Sequence, residues 1–495
     1  MKLPKSISNW ISITGFIFSA NSLILIAVLF VQALLSEHTN PYNGIFTYII
    51  LPVILFIGLL LIPTGMLFHR KKTRDPQEHW PVLDMNIPRH RQKLIMVSVF
   101  TFLFLIISAM GSYEAFNYTE SVEFCGKLCH KVMEPEYETY LHSPHARVAC
   151  VECHVGEGAG WYVKSKLSGL YQVYSVIFHK YHQPIETPIQ NLRPARETCE
   201  RCHWPQKFYA KKLRTQRVYL TDSLNTEWNY SMLMRIGPNY SAMGLIEGIH
   251  WHINKDMRIE YVATTKDRES IPWVKFTNLK TGDVQIFQDT ENMLNKKALD
   301  TLPHRIMDCM DCHNRPSHSY KSAPVYFDNT LITGEVSKDL PFIKKVAMNV
   351  LKNPFTNKDS AFGYIRDSIT NFYKTGYPSV YQTQKPLIDK AILTIQQEFS
   401  LNVFPYMRAS SNNYLNHIGH LESDGCFRCH SDRHKSEKSK IISKDCNMCH
   451  TIIAQGPTGK VQYGSVDNVM EFQHPVDIKD KWKSYFCTEC HRQLY

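Results

Sequence analysis

Cys426-Phe-Arg-Cys429-His430, Cys446-Asn-Met-Cys449-His450 and Cys487-Thr-Glu-Cys490-His491 close the chain with one pattern written three times. The same C-x-x-C-H pattern stands at Cys150/Cys153/His154, Cys199/Cys202/His203 and Cys309/Cys312/His313. A stretched form, C-x-x-x-C-H, occupies Cys125, Cys129 and His130. Seven pairs use all 14 cysteines, so none is left over. C-x-x-C-H is the attachment signature of haem c. The two thiols add across the two vinyl groups of one haem, and the adjacent histidine takes an axial position on the iron. Zinc ribbons also use C-x-x-C pairs but need no histidine after each second cysteine. Disulfide frameworks belong to small secreted chains and leave the histidines unexplained. The sequence therefore predicts seven covalently bound haem c groups.

The formal charge of +11 invites a nucleic-acid reading. Seven haems would bring roughly 14 propionates, partly offset by the irons, and these account for much of the lysine and arginine excess. No nucleic acid is expected as a partner.

Working outward from the motifs, the N-terminal region holds three uncharged apolar runs, at about Ile7–Ser36, Gly44–Phe68 and Leu94–Tyr113. Each is long enough to cross the hydrocarbon core as a helix. Pro52 and Pro63 are expected to kink the second. The first run is long for a signal peptide and lacks a small-x-small exit, so it is expected to be retained. Lys2 and Lys5 precede the first run, and Arg70, Lys71, Lys72, Arg74, Arg89, Arg91 and Lys93 lie between the second and third. Glu37–Asn43 carries no lysine or arginine. That bias places the N-terminus and the second loop in the cytoplasm and everything after Tyr113 outside. The expected location is a bacterial inner membrane, crossed several times, with a periplasmic haem domain.

The motifs cluster as three, one and three. Between the clusters, Arg258–Thr265, Ile271–Thr277 and Val284–Phe287 read as strands joined by polar turns, a small β-meander insert. Phe342–Leu351 and Leu387–Phe399 have helical apolar spacing. The fold class expected is a mainly α multihaem cytochrome c, with three N-terminal transmembrane helices and a loop-rich haem domain carrying that insert.

Each haem needs axial ligands beyond the seven motif histidines. The candidates are His145, His252, His318, His420, His434 and His474. His250 competes with His252: two residues apart on a strand, they would share one face. His417 competes with His420. Six distal histidines leave one haem without, and the first is the natural exception, because Met133 lies three residues past His130. A thioether there would raise the potential.

On these residues the sequence resembles the NapC/NirT family of membrane-anchored quinol dehydrogenases. The resemblance runs from the third apolar run through about His203. It rests on the span before the first motif, the Cys-His-x-x-Met start, Ser143-Pro144-His145 and the segment Trp161–Tyr174. The whole chain looks most like the large seven-haem inner-membrane members of metal-reducing bacteria. The resemblance implies oxidation of menaquinol from the membrane quinone pool at the first haem, with electrons passed to periplasmic cytochromes or a reductase. Family quinol sites use a lysine and an acidic residue after the second motif. Lys164 and Lys166 are the lysines available, Gln172 stands where an acid would be expected, and Glu123, with Glu114 and Glu120, is a candidate acid by position. The family's methionine usually lies two past the motif histidine and here lies three, and small members have one span where this chain has three.

The expected organisation is a membrane domain at 1–113, a NapC/NirT-like domain with haems 1–3 at 114–216, a β-rich insert at 217–303, a haem 4 segment at 304–339, a helical segment at 340–410 and a C-terminal cluster with haems 5–7 at 411–495. A homo-oligomer is possible. The competing functions are a passive electron-transfer subunit of a larger redox complex and a terminal nitrite or hydroxylamine reductase. Abundant spare histidines and the lack of a C-x-x-C-K motif weigh against the reductase.

Overall fold

An apolar run in lipid must satisfy its backbone internally, and a helix does so within one segment. The computed structural model describes residues 9–35, 47, 50–73, 85–128, 130–155, 159–189, 193–465 and 469–494. Its chain divides into two compact units, Met1–Met133 with Ala149–Val151, and Glu134–Val148 with Glu152–Tyr495.

The first unit holds helices Trp10–Leu35, Leu51–Thr73 and Pro88–Glu120, all long and apolar enough to cross a membrane. The outer edges of the first two runs, at Ile7, Ser36 and Gly44, and the whole of the Glu37–Asn43 loop lie outside the described residues. So do Arg74 and part of the second loop. The first two helices pack through small residues. A Cβ on Gly58 would stand 2.5 Å from Ser19 Oγ, and one on Gly15 would stand 2.6 Å from Gly58 O. Ser12 Oγ donates to Ile62 O at 2.9 Å. Small residues let helix backbones approach where lipid offers no hydrophobic drive. Pro52 falls in the first turn of its helix, where its missing N–H costs nothing, and Pro63 lies inside. The third helix runs 33 residues, about 50 Å at 1.5 Å per residue. It outreaches the expected Leu94–Tyr113 at both ends because Pro88 opens it and Ser121 closes it. Ser121 then caps the next helix, Val122–Lys127, by accepting from Phe124 N.

Among its described residues the second unit has nine strands: β1 Lys211–Tyr219, β2 Glu227–Arg235, β3 Met257–Val262, β4 Trp273–Asn278, β5 Val284–Asp289, β6 His304–Ile306, β7 His434–Ser436, β8 His450–Pro457 and β9 Gln462–Tyr463. They form two antiparallel sheets, ordered β1-β2-β8-β9 and β6-β3-β4-β5-β7. The meander β3-β4-β5 lies where the alternating runs predicted strands, with Tyr261 opposite Val274 and Val274 opposite Phe287. It is not a self-contained insert. A meander's outer strands expose unpaired N–H and C=O groups. Here β6 and β7 cover those edges, and β8 extends the β1-β2 hairpin, so segments beside the haem motifs complete both sheets.

The helical segment has an apolar core of its own. Helices Ala323–Thr333, Ile343–Leu351, Lys358–Gly376 and Lys385–Asn402 enclose a core in which Ile365, Ile369, Tyr373, Ile388, Ile395 and Phe399 are fully buried. Asn357 caps the third by accepting from Ser360 N at 2.8 Å. The Asp328–Lys344 ion pair, 2.6 Å apart, is buried beneath the bundle.

Candidate haem-ligand site

The motifs at Cys199, Cys309 and Cys426 each fold as a single tight turn. The amide of His203 donates to Cys199 O at 2.8 Å, His313 to Cys309 O at 2.8 Å and His430 to Cys426 O at 2.9 Å. One such turn puts residues three and four apart on the same face, so both thiols and the imidazole point one way. The turns are capped by their own flanks. Asp308 and Asp311 make a reciprocal capping box around Cys309–Cys312, and Asp445 accepts from Asn447 N at 2.9 Å before Cys449. Helix Cys150–His154, helix Ala195–Cys199, the turns at Gly425–Arg428 and Cys446–Met448, and helix Cys487–Leu494 carry the other motifs. No disulfide joins the described cysteines. Cys125 sits on helix Val122–Lys127, Cys129 lies outside the described residues, and His130 opens helix His130–Leu141.

The two thiols of a pair are not equally enclosed. The signature treats both cysteines alike, yet Cys153, Cys202 and Cys490 are exposed, while their partners Cys150, Cys199 and Cys487 are half-buried. In the fifth and sixth motifs the order reverses: Cys426 and Cys446 are exposed, and Cys429 and Cys449 are half-buried. Only Cys309 and Cys312, among the pairs with both members described, are both half-buried.

Six motif histidines each face a second histidine ring from elsewhere in the second unit. The ring-centroid separations are 6.2 Å for His154 and His318, 5.9 Å for His203 and His145, and 6.4 Å for His313 and His250. They are 5.9 Å for His430 and His252, 6.4 Å for His450 and His420, and 6.0 Å for His491 and His474. An imidazole–metal bond is about 2 Å and the ring centre lies ~1 Å behind its nitrogen, so one iron held between two imidazoles sets their centres about 6 Å apart. The residues fit the group that the motifs imply. Beside His474, an open cavity of about 790 Å³ is walled by Trp228, Phe472 and Trp482.

The tautomers agree with that use. Nδ1 of His145 faces Pro316 O at 3.0 Å, that of His250 faces Ile236 O at 3.1 Å and that of His252 faces Ile249 O at 2.8 Å. Nδ1 of His318 faces Glu136 O at 2.9 Å. A carbonyl only accepts, so Nδ1 carries the proton and Nε2 is left with its lone pair for a metal. His420 differs: its Nδ1 is buried without a partner among the described residues. Burial pushes His154 and His420 down to about 4, reinforced by the facing ring in each pair. Burial also lowers His250, His252, His313, His430, His450 and His491. These imidazoles stay neutral, the state that ligates.

His434, expected as a distal ligand, sits apart from the six ring pairs. Its ring is buried with both nitrogens engaged, Nε2 on Ile271 O at 2.7 Å and Nδ1 on Ser431 Oγ at 3.2 Å. It pins β7 to the loop before β4. His250 is the ring that faces His313, and the reason lies in local geometry. His250 and His252 stand on a 3₁₀ turn, Ile249–Ile253, and not on a strand. With three residues per turn, positions two apart diverge, so the two rings meet different motif histidines. His417 is likewise occupied, its Nε2 3.2 Å from Glu269.

Lys164 and Lys166 lie on helix Ala159–Ile177, each ammonium over an aromatic ring one turn back, Trp161 at 4.9 Å and Tyr162 at 5.0 Å. The same helix carries a stripe of Val163, Leu167, Leu170, Tyr174 and Ile177, with Leu167 and Leu170 64% and 68% exposed. Glu123 is exposed in the first turn of Val122–Lys127, in the other unit. Met133 lies one turn beyond His130 on its helix.

Residues 87–187 match the model of the NapC/NirT cytochrome c family, N-terminal region. The chain is 41% identical to the cytochrome c-type protein ImcH of Geobacter sulfurreducens, over 98% of this chain and 95% of that protein. It is 30% identical over 102 residues to the cytochrome c-type protein NrfH of Wolinella succinogenes, covering 20% of this chain and 57% of that one. No solved structure matches. Matched along nearly its whole length by such a relative, and carrying paired thiols and paired imidazoles, the chain belongs to the NapC/NirT family of multihaem c-type cytochromes, membrane-anchored proteins of electron transport.

Proposed function

We propose that this protein is a membrane-bound seven-haem quinol dehydrogenase that takes electrons from menaquinol and passes them to periplasmic cytochromes or a reductase. The observation that carries the reading is the set of six imidazole pairs, each joining a motif histidine to a partner from another segment. In this reading the irons are held by His154 with His318, His203 with His145, His313 with His250, His430 with His252, His450 with His420, and His491 with His474. His130 and Met133 serve the first haem, attached through Cys125 and Cys129. Haem supplies the one-electron carrier when bound; the protein supplies spacing, orientation and surrounding charge.

All six pairs leave no open position for a small substrate, which favours electron transfer over terminal reduction. The apolar stripe of helix Ala159–Ile177 suits burial in the bilayer interface, with its lysines at headgroup depth. At that depth Lys164 and Lys166 would hold a quinol oxygen. Quinol oxidation releases two protons with its two electrons, and Glu123, Glu114 or Glu120 would accept them. Purified protein mixed with a menaquinol analogue tests the reading. Rapid haem reduction without any partner is expected; no reduction would assign the quinol chemistry to another subunit.

A further inference from the structure

His250 and His252 come from one turn but face histidines of two different motifs. His250 faces His313 of the fourth motif, and His252 faces His430 of the fifth. The turn thereby ties together two motifs that lie more than a hundred residues apart in sequence.

A second contact joins the same motifs on their opposite side. Arg428, inside C-F-R-C-H, donates through Nη2 to the backbone O of Asp311, inside C-M-D-C-H, at 2.6 Å. Arg428 is buried and also donates to Gly425 O at 2.8 Å and Arg268 O at 3.0 Å. Asp311 is 2% exposed. Its carboxylate accepts from Tyr261 OH at 2.6 Å, Arg268 at 2.8 Å and Arg305 at 2.7 Å. Arg428 and Asp311 are therefore joined to each other, and Asp311 to Tyr261 on β3. A fully satisfied buried polar network of this kind rigidifies what it joins.

We propose that the Ile249–Ile253 turn and the Arg428–Asp311 contact form a rigid junction, which holds the fourth and fifth haems as one coupled pair linking the first four motifs to the last three. His250 and His252 are ligands under the functional reading above, on which this proposal rests. Arg428 and Asp311 are positioning residues. The β strands between the clusters would then serve as the frame of that junction.

The test uses the full-length protein in detergent and three variants, His250→Met, His252→Met and the double variant, followed by potentiometric titration. A ferric haem with one thioether ligand has a near-infrared charge-transfer band that disappears on reduction; the first haem, with Met133, gives the wild type one such band, and the band added beyond it in each variant reports the altered haem. Each single variant should gain one such band and lose it in one wave. In the double variant the band should be lost in two waves spread wider than the two single midpoints, because the charge on each iron shifts its neighbour. Simple superposition of the single-variant waves would overturn the junction while leaving the ligands standing. Absence of any band beyond that of the wild type in both single variants, with all haems attached, would instead overturn the ligand reading. Arg428→Gln leaves every ligand in place and should displace two haem waves without changing spin state; seven unmoved waves would also overturn the junction.

Discussion

The imidazole rings of His250 and His313 lie 6.4 Å apart between centroids and within 3° of parallel. His420 and His450 are inclined by 26°. The rings of His145 and His203 cross at 73°, and those of His252 and His430 cross at 77°. Parallel axial imidazoles split the iron orbitals that crossed ones leave nearly degenerate, and ligand geometry is one of the protein's levers on haem. The ferric protein should therefore show both rhombic low-spin signals and large-g-max signals by EPR at low temperature. A spectrum with only one class would contradict the ring orientations.

His250→Ala and His434→Gln should part company. The first removes a proposed axial ligand and should convert one haem to a high-spin, five-coordinate state, visible optically and by EPR. The second breaks the buried bonds to Ile271 and Ser431 and should cost about 1–3 kcal/mol of stability with every haem still low-spin. Reversed outcomes would restore His434 to the iron and remove His250.

Glu269 gives a pH dependence. Burial alone raises its carboxyl, but the hydrogen bond and charge of His417, with Arg492 at 2.8 Å, outweigh burial and hold it at about 2. A folded pKa below the unfolded one stabilises above the unfolded value, near 4.5, and that stabilisation is lost as pH falls towards 2. Glu269→Gln should lower the thermal midpoint above pH about 5, by about 1–3 kcal/mol in stability, and the gap to wild type should close on acidification. A gap independent of pH would show that the carboxylate charge contributes nothing.

Lys164→Met and Lys166→Met, singly or together, should slow haem reduction by a menaquinol analogue roughly tenfold or more. Haem content and reduction by dithionite should be unaltered. Stopped-flow absorbance gives both readings, and equal rates for wild type and the double variant would move the quinol site elsewhere.

The motifs, the spans and the meander strands were legible because each rests on local pattern: a five-residue signature, an uncharged apolar run, an alternation of period two. His145, His318 and His474 were singled out by proximity to a motif, and each faces a motif histidine. His434 was singled out in the same way, but closeness to His430 in sequence says nothing about which carbonyl its ring will meet, here Ile271 O. The choice between His250 and His252 depended on one local state. A strand would have offered one ligand, and the 3₁₀ turn offers two. The exposure of Cys153, Cys202 and Cys490 was illegible too, because it depends on what packs against each turn. Joins between distant segments, such as β8 on β2, β7 on β5 and Arg428 on Asp311, leave no local trace. They are set by edge pairing and burial in the assembled fold.

The central claim is that each of the seven thiol pairs carries a haem. The intact mass of the mature chain, measured under denaturing conditions that strip everything not covalently attached, tests it most directly. The account predicts the polypeptide mass plus seven haem additions. A mass showing bare polypeptide, or thiols bridged to one another, would contradict it.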